Sequence, residues 1–176
     1  MESRPIRVFF ALWPGEAERN VLADWQAPLS ERCGGRSMRP ETLHVTLVFV
    51  GEVAADRLDA LKHAAQAVAG SPFQLRFGTV RYWRHNRIVH AVPQAVPPAL
   101  TGLVAGLSDR LRQQGFAFDA RPYQPHVTLL RNACWDDGPP PALPTVAWQA
   151  HEFVLVQSLL EERGARYQVL ARFPLK

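Results

Sequence analysis

Two stretches of the chain repeat the same residues in the same order: Arg39-Pro40-Glu41-Thr42-Leu43-His44-Val45-Thr46-Leu47 and Arg121-Pro122-Tyr123-Gln124-Pro125-His126-Val127-Thr128-Leu129. Arg, Pro, His, Val, Thr and Leu recur at matched positions, one copy in each half of the chain. One His-x-Thr tetrapeptide would carry little information. A second copy with Arg-Pro at the same offset carries much more. His-Val-Thr-Leu suits a β-strand, on which alternate side chains share a face. His and Thr then point one way while Val and Leu enter a core. Two such strands facing each other would bring His44, His126, Thr46 and Thr128 to one cleft.

That set can do acid–base chemistry on a phosphate. Histidine is the side chain that titrates near neutral pH. With imidazoles on opposite sides of a phosphorus, one can take a proton from water while the other gives one to the leaving oxygen. Each role is worth about 10²–10⁴-fold in rate. The threonine hydroxyls would donate to the non-bridging oxygens, where charge builds up. Arg131 alternates away from the His face if its strand is regular; where the strand ends it could swing in and hold a phosphate bidentately. Zinc wants three or four ligands, and the motifs pair only two histidines. Cys33 and Cys134 have neither zinc spacing nor a disulfide framework. Neither metal nor cofactor is expected. His63, His85, His90 and His151 fall in a helix, a hairpin tip and two strands, ordinary structural or solvated positions.

The elements that must position these groups are legible as periodicities. Ile6–Leu12 reads as a buried strand, followed by Pro14 near a helix start and a helical run from Ala17 to about Arg32 that Gly34-Gly35 breaks. Leu43–Val50 is the first motif strand, closed by Gly51. Val53–Ala69 carries a helical apolar stripe at Leu58, Leu61, Ala65 and Val68. Phe73–Trp83 and Ile88–Val92 form a hairpin with Arg84–Arg87 at its tip. After Pro93–Pro98, the boundary between halves near residues 93 and 98, a second helix runs from Leu100 to Leu111 and ends by Gly115. His126–Leu130 is the second motif strand. Asn132–Thr145 is a proline-stiffened loop, and Trp148–Val156 and Arg166–Phe173 are the last strands. Both halves read helix, Arg-Pro turn, His-Thr strand, so a duplicated α+β unit within one domain over 1–176 is expected.

At 176 residues and 47% hydrophobic, the chain can bury a core. No run approaches the roughly 20 apolar residues of a membrane span, and no signal-peptide pattern opens the chain; a cytoplasmic location is expected. Net charge is +4 and the pI about 9.6, which permits a polyanionic partner. Among the basic residues only Lys62 and Lys176 are lysines. The arginine excess suits bidentate phosphate contact, and equally fits a GC-rich genome. No heptad or edge-pairing signal appears, so a monomer without a protein partner is expected.

The paired motifs resemble those of the two-histidine phosphoesterase superfamily, and within it the RNA 2′,3′-cyclic phosphodiesterases, also called 2′-5′ RNA ligases. The similarity extends to Arg7-Val8-Phe9-Phe10-Ala11-Leu12, to Leu43–Val53, to Arg121–Arg131 and to Ala165-Arg166-Tyr167. The resemblance implies a bilobal α+β fold with two antiparallel sheets around a cleft, and hydrolysis of terminal 2′,3′-cyclic phosphates to 2′-phosphates. It further implies that His44 is the proton donor to the departing 3′ oxygen and His126 the acceptor from water, and it leaves 2′-5′ RNA ligation open. His90 stands where family members often carry tryptophan after the hairpin. RNA 3′ ends are the expected substrate. A small cyclic nucleotide phosphate, or a binding module without turnover, are the competing readings.

Overall fold

The opening strand, β1 (Pro5–Leu12), splits its side chains between two surroundings. Val8, Phe10 and Leu12 enter the main core, while Phe9 and Ala11 join a second apolar cluster that Trp13, Phe49 and Tyr167 flank. The computed structural model describes residues 4–176. Next come α1 (Glu16–Asp24) and α2 (Gln26–Cys33), where the periodicity suggested one helix. Pro28 supplies the break: it lacks an N–H, and its ring crowds the carbonyl four residues back, that of Asp24. Gly34, at φ +63, ends α2, and the two-residue β2 (Arg36–Ser37) leads to a single 3-10 turn at Pro40–Thr42.

The first motif strand is β3 (Val45–Ala54). It runs through Gly51 where closure was expected, because Glu52, Val53 and Ala54 still pair with Arg7, Ile6 and Pro5 of β1. The helix expected over Val53–Ala69 is shortened accordingly to α3 (Leu58–Gln66). β4 (Phe73–Trp83) and β5 (Ile88–Pro93) form the expected hairpin. α4 (Pro98–Gln113) opens on a proline at its first turn, where the missing N–H costs nothing. The second motif strand is β6 (Val127–Arg131). The apolar run at Trp148–Val156 is two strands, β7 (Val146–Ala150) and β8 (Glu152–Glu161). Its phase slips at His151, where the chain leaves one sheet for the other. β9 (Gly164–Pro174) closes the fold.

The protein is α+β and two-lobed. One sheet has the order β3-β1-β8-β9, the other β2-β6-β5-β4-β7. Helices α3 and α4 contact the first sheet, and α1 and α2 the second. The lobes are therefore not the two halves of the sequence, since β1 and β3 share a sheet with the last two strands, β1 pairing with β8. Among the described residues no helix is long and apolar enough to cross a membrane.

Each motif strand carries a one-residue bulge at the same place. Phe10 pairs with Val48 but Ala11 with Thr46, which leaves Leu47 extra. Val89 pairs with Leu130 but His90 with Thr128, which leaves Leu129 extra. Both members of Leu47-Val48 and of Leu129-Leu130 are buried. A bulge turns the following residue to the opposite face, so Phe49 and Arg131 point into the cleft. In the second strand the Leu129 carbonyl accepts from Met38 N–H at 2.9 Å and from the buried Gln26 amide at 3.0 Å. Gln26 also donates to the Met38 carbonyl at 2.8 Å.

Replacing Gln26 with Leu removes both donations in a dry interior and should cost about 1–3 kcal/mol. Exposed Gln66→Leu should stay within about 0.5 kcal/mol of the parent. Urea unfolding of the two variants checks this, and equal midpoints would contradict the role given to Gln26.

Candidate active site

His44 and His126 each lie one residue before the ladder of their strand begins. In both, Nδ1–H donates to the backbone carbonyl two residues back, Thr42 for His44 and Gln124 for His126, each at 2.7 Å. A carbonyl only accepts, so the neutral ring is held with Nδ1 protonated and Nε2 bare. His44 Nε2 meets the Thr46 hydroxyl at 3.0 Å. The Tyr123 hydroxyl donates to the Thr46 carbonyl at 3.0 Å, tying the second motif's turn to the first motif's strand. Asp119 N–H does the same at the Phe49 carbonyl, 2.9 Å away.

The two histidines, Thr46, Thr128 and Arg131 all line one cavity of about 1070 Å³ between the sheets. The structure thus brings together every residue singled out in the sequence. Arg131 reaches the cleft because of the bulge, where plain alternation sent it away. His90 is 1% exposed and lies behind the wall. It stacks on Trp83 at 3.8 Å and meets His126 edge-on at 5.4 Å.

Sequence reasoning missed the aromatic surroundings. His44 is boxed by Phe9 at 5.0 Å, Trp13 stacked at 5.6 Å and Tyr167 edge-on at 5.4 Å. Trp83 stands edge-on to His126 at 4.6 Å. The available signal was β1 itself, apolar on both faces at the edge of a polar site.

This apolar packing sets the charge state. Burial pushes His44 down to about 4; the bond to Thr42 opposes this, and the charges of His126 and Arg131 reinforce it. Burial likewise lowers His126 below the usual histidine value, with Gln124 opposing and Arg131 reinforcing. His90 is pushed down to about 4 by burial, then by His126. The cleft is consequently a place for neutral imidazoles and a guanidinium. It favours an anion. Among the described residues no group of three or more His, Cys, Asp or Glu side chains converges as a metal site would.

Two antiparallel sheets that each deliver a His-x-Thr strand to a common cleft define a two-histidine phosphoesterase. The model of the family described as "LigT like Phosphoesterase" matches residues 12–90 and again 91–167, one motif in each stretch. The chain belongs to that family. It is 31% identical over 174 residues to an Escherichia coli K12 protein named RNA 2′,3′-cyclic phosphodiesterase, covering 98% of each. It is 29% identical over 185 residues to a Thermus thermophilus protein of the same name, covering 97% of this chain and 91% of the relative. Its fold superposes on the crystal structure of apo E. coli LigT with a TM-score of 0.86, at 31% identity and 99% coverage of both chains. On LigT complexed with 3′-AMP the TM-score is 0.85, at 31% identity, covering 98% of this chain and 99% of that one.

The depressed histidines link stability to pH. Above about 6.5 the folded and unfolded chains both hold them neutral. As pH falls from 6.5 towards 4, the unfolded chain takes up protons that the folded chain refuses, so stability drops across that window. Unfolding free energies from urea titrations should decline steadily between pH 7 and pH 4.5, and His90→Phe should make the decline shallower. A flat profile over that range would contradict the buried, neutral imidazoles.

Proposed function

We propose that this protein hydrolyses the 2′,3′-cyclic phosphate at RNA ends to a 2′-phosphate, with His126 as proton acceptor and His44 as proton donor. The observation that carries the reading is the pair of imidazoles lining one cleft, each with Nδ1 held by a backbone carbonyl two residues back and with Nε2 of His44 against the Thr46 hydroxyl. The named activity of the E. coli and Thermus relatives supports the choice of substrate, and the 3′-AMP complex of LigT supports a nucleotide.

Water attacks the phosphorus opposite the 3′ oxygen. Its proton passes to the bare Nε2 of His126, which neutrality keeps ready as a base. The P–O3′ bond breaks, and Nε2–H of a protonated His44 delivers the proton to O3′, leaving a 3′-hydroxyl and a 2′-phosphate. His44 must therefore charge when substrate arrives. An anionic phosphate beside it favours the imidazolium by direct Coulomb attraction. Thr46, Thr128 and Arg131 donate to the non-bridging oxygens. Arg131 stands on the His126 strand, and its counterpart on the His44 strand is the uncharged Phe49. That difference supports one binding orientation, with the phosphate drawn towards His126 and O3′ towards His44. The 5′-hydroxyl of a second RNA taking the place of water would give a 2′-5′ linkage by the same displacement.

Two imidazoles, two hydroxyls and a guanidinium account for the chemistry without a metal, so turnover should persist in EDTA. His44→Ala and His126→Ala should each lower kcat by about 10²-fold or more. Thr46→Val and Thr128→Val should lower it by about 10- to 1000-fold. Near-parental hydrolysis by either folded histidine variant would sink the mechanism. Phosphorus NMR of the product should give predominantly the 2′-phosphate; a predominant 3′-phosphate would reverse the leaving group.

The pH dependence follows from the same burial. One imidazole must be neutral and the other charged, so kcat/KM should trace a bell. Both histidines are lowered in the free protein, which places the maximum on the acid side of 6.5. A rate that climbs steadily into alkaline pH would point instead to hydroxide attack without a general acid.

A further inference from the structure

Four arginines line the cleft, and they differ in what they hold. Arg121 grips both oxygens of Asp119, among the described residues the single carboxylate in the lining. Arg112 pairs with Asp109 at 3.1 Å. Among the described residues Arg131 and Arg7 form no ion pair. The reaction at a single phosphate uses Arg131. It leaves Arg7 without a task.

Arg7 stands on the cleft side of β1, in phase with Phe9, Ala11 and Trp13. Its guanidinium lies 4.9 Å over the ring of Phe49, which holds the fork out over the cleft. Its neighbour across β8 is Ser158, also in the lining. Its neighbour on β3, Glu52, is outside the lining and makes no ion pair with it. The field of Arg7 also reaches the Tyr167 hydroxyl, together with those of Arg131 and Arg39.

The spacing gives this arginine a use. Phe9 packs on His44 at 5.0 Å, and Arg7 is two residues further along the strand, about 6.6 Å at 3.3 Å per residue. Arg7 therefore lines the same cleft as His44, next along the strand face to the phenylalanine that His44 packs on. We propose that Arg7, with Ser158 beside it and Phe49 beneath, forms a second phosphate subsite. It takes the phosphodiester joining the terminal nucleotide to the one before it, so that an RNA end is preferred over a mononucleoside cyclic phosphate. The subsite rests on the reading of the cleft as an RNA-end phosphodiesterase, and it names what selects the polymer.

The test compares a dinucleotide and a mononucleoside, both ending in a 2′,3′-cyclic phosphate, with the parent protein, Arg7→Gln and Arg7→Lys. The parent should favour the dinucleotide. Arg7→Gln should reduce the ratio of the two kcat/KM values by about 10-fold, and its dinucleotide KM should lose about one unit of salt slope, as expected for one lost phosphate contact. Arg7→Lys should restore much of the ratio. Calorimetric binding of the corresponding 2′-phosphates, with and without the extra nucleotide, measures the same preference without turnover. A parent that gains nothing from the extra nucleotide, or an Arg7→Gln variant that weakens both ligands equally, overturns the subsite. A parent that binds the dinucleotide more tightly through Arg7 yet hydrolyses neither substrate upholds the subsite and overturns the phosphodiesterase reading.

Discussion

One extra residue in each motif strand decides what the cleft contains. Without the bulge, plain alternation from the histidine would turn Val48 and Leu130 into the cleft and Phe49 and Arg131 into the core. With it, two consecutive apolar residues go into the core, Leu47-Val48 in one strand and Leu129-Leu130 in the other. Phe49 and Arg131 then fall on the cleft face, and in β3 a second slip follows at Val50. The local cost of the unpaired backbone is met by neighbours: Gln26 and Met38 reach the Leu129 carbonyl. At Arg131 itself, Gly35 lies so close that a Cβ there would come within 2.6 Å of the Arg131 carbonyl oxygen. Gly35 sits at φ +84, where glycine carries no penalty.

Much of this was legible in the sequence. The repeated Arg-Pro and His-x-Thr residues located the site because their chemistry depends on residue type and period-two alternation, both of which a strand preserves. The β4–β5 hairpin was equally plain, since Phe73, Leu75 and Phe77 alternate with polar residues up to Trp83. What failed was anything that depends on partners distant in sequence. The extension of β3 through Gly51 is imposed by Pro5–Val8 of β1. The division of Trp148–Val156 into two strands comes from two different sheets claiming its ends. Arg131 was misphased for the same reason: a bulge is a property of a strand pair, and one strand read alone does not contain it. The split between α1 and α2 was different, because Pro28 was there to be read.

The charge balance of the cleft follows from its aromatic walls. Phe9, Trp13 and Tyr167 around His44 exclude water and so hold the imidazole neutral at a pH where an exposed one would be half charged. In the proposed mechanism, an acid that is uncharged at rest looks like a defect, but it couples protonation to occupancy. Only when an anion enters does the imidazolium become favourable, so the proton is present when a leaving oxygen needs it. The proposed base, His126, needs no such coupling. Its bare Nε2 is already the reactive form, and the bond to Gln124 keeps it facing the cleft.

The interleaved topology explains why two similar units make one unequal site. Each sheet draws strands from both halves of the chain, and the two His-x-Thr strands have unlike neighbours: β3 pairs with β1 of its own half, β6 with β2 and β5 of the other. In the first sheet the residue opposite Thr46 is Ala11; in the second, the residue opposite Thr128 is His90. After the matched bulges the pair is Phe49 and Arg131. The His and Thr of the motif are the same in both copies while their immediate neighbours differ in size, charge and polarity. A symmetric pair of imidazoles could pass a proton either way across a bound phosphate. Once one side carries a guanidinium and the other an aromatic shelf, the two directions differ in energy. In the proposed mechanism, the division of labour between acid and base is then set by what surrounds the motifs.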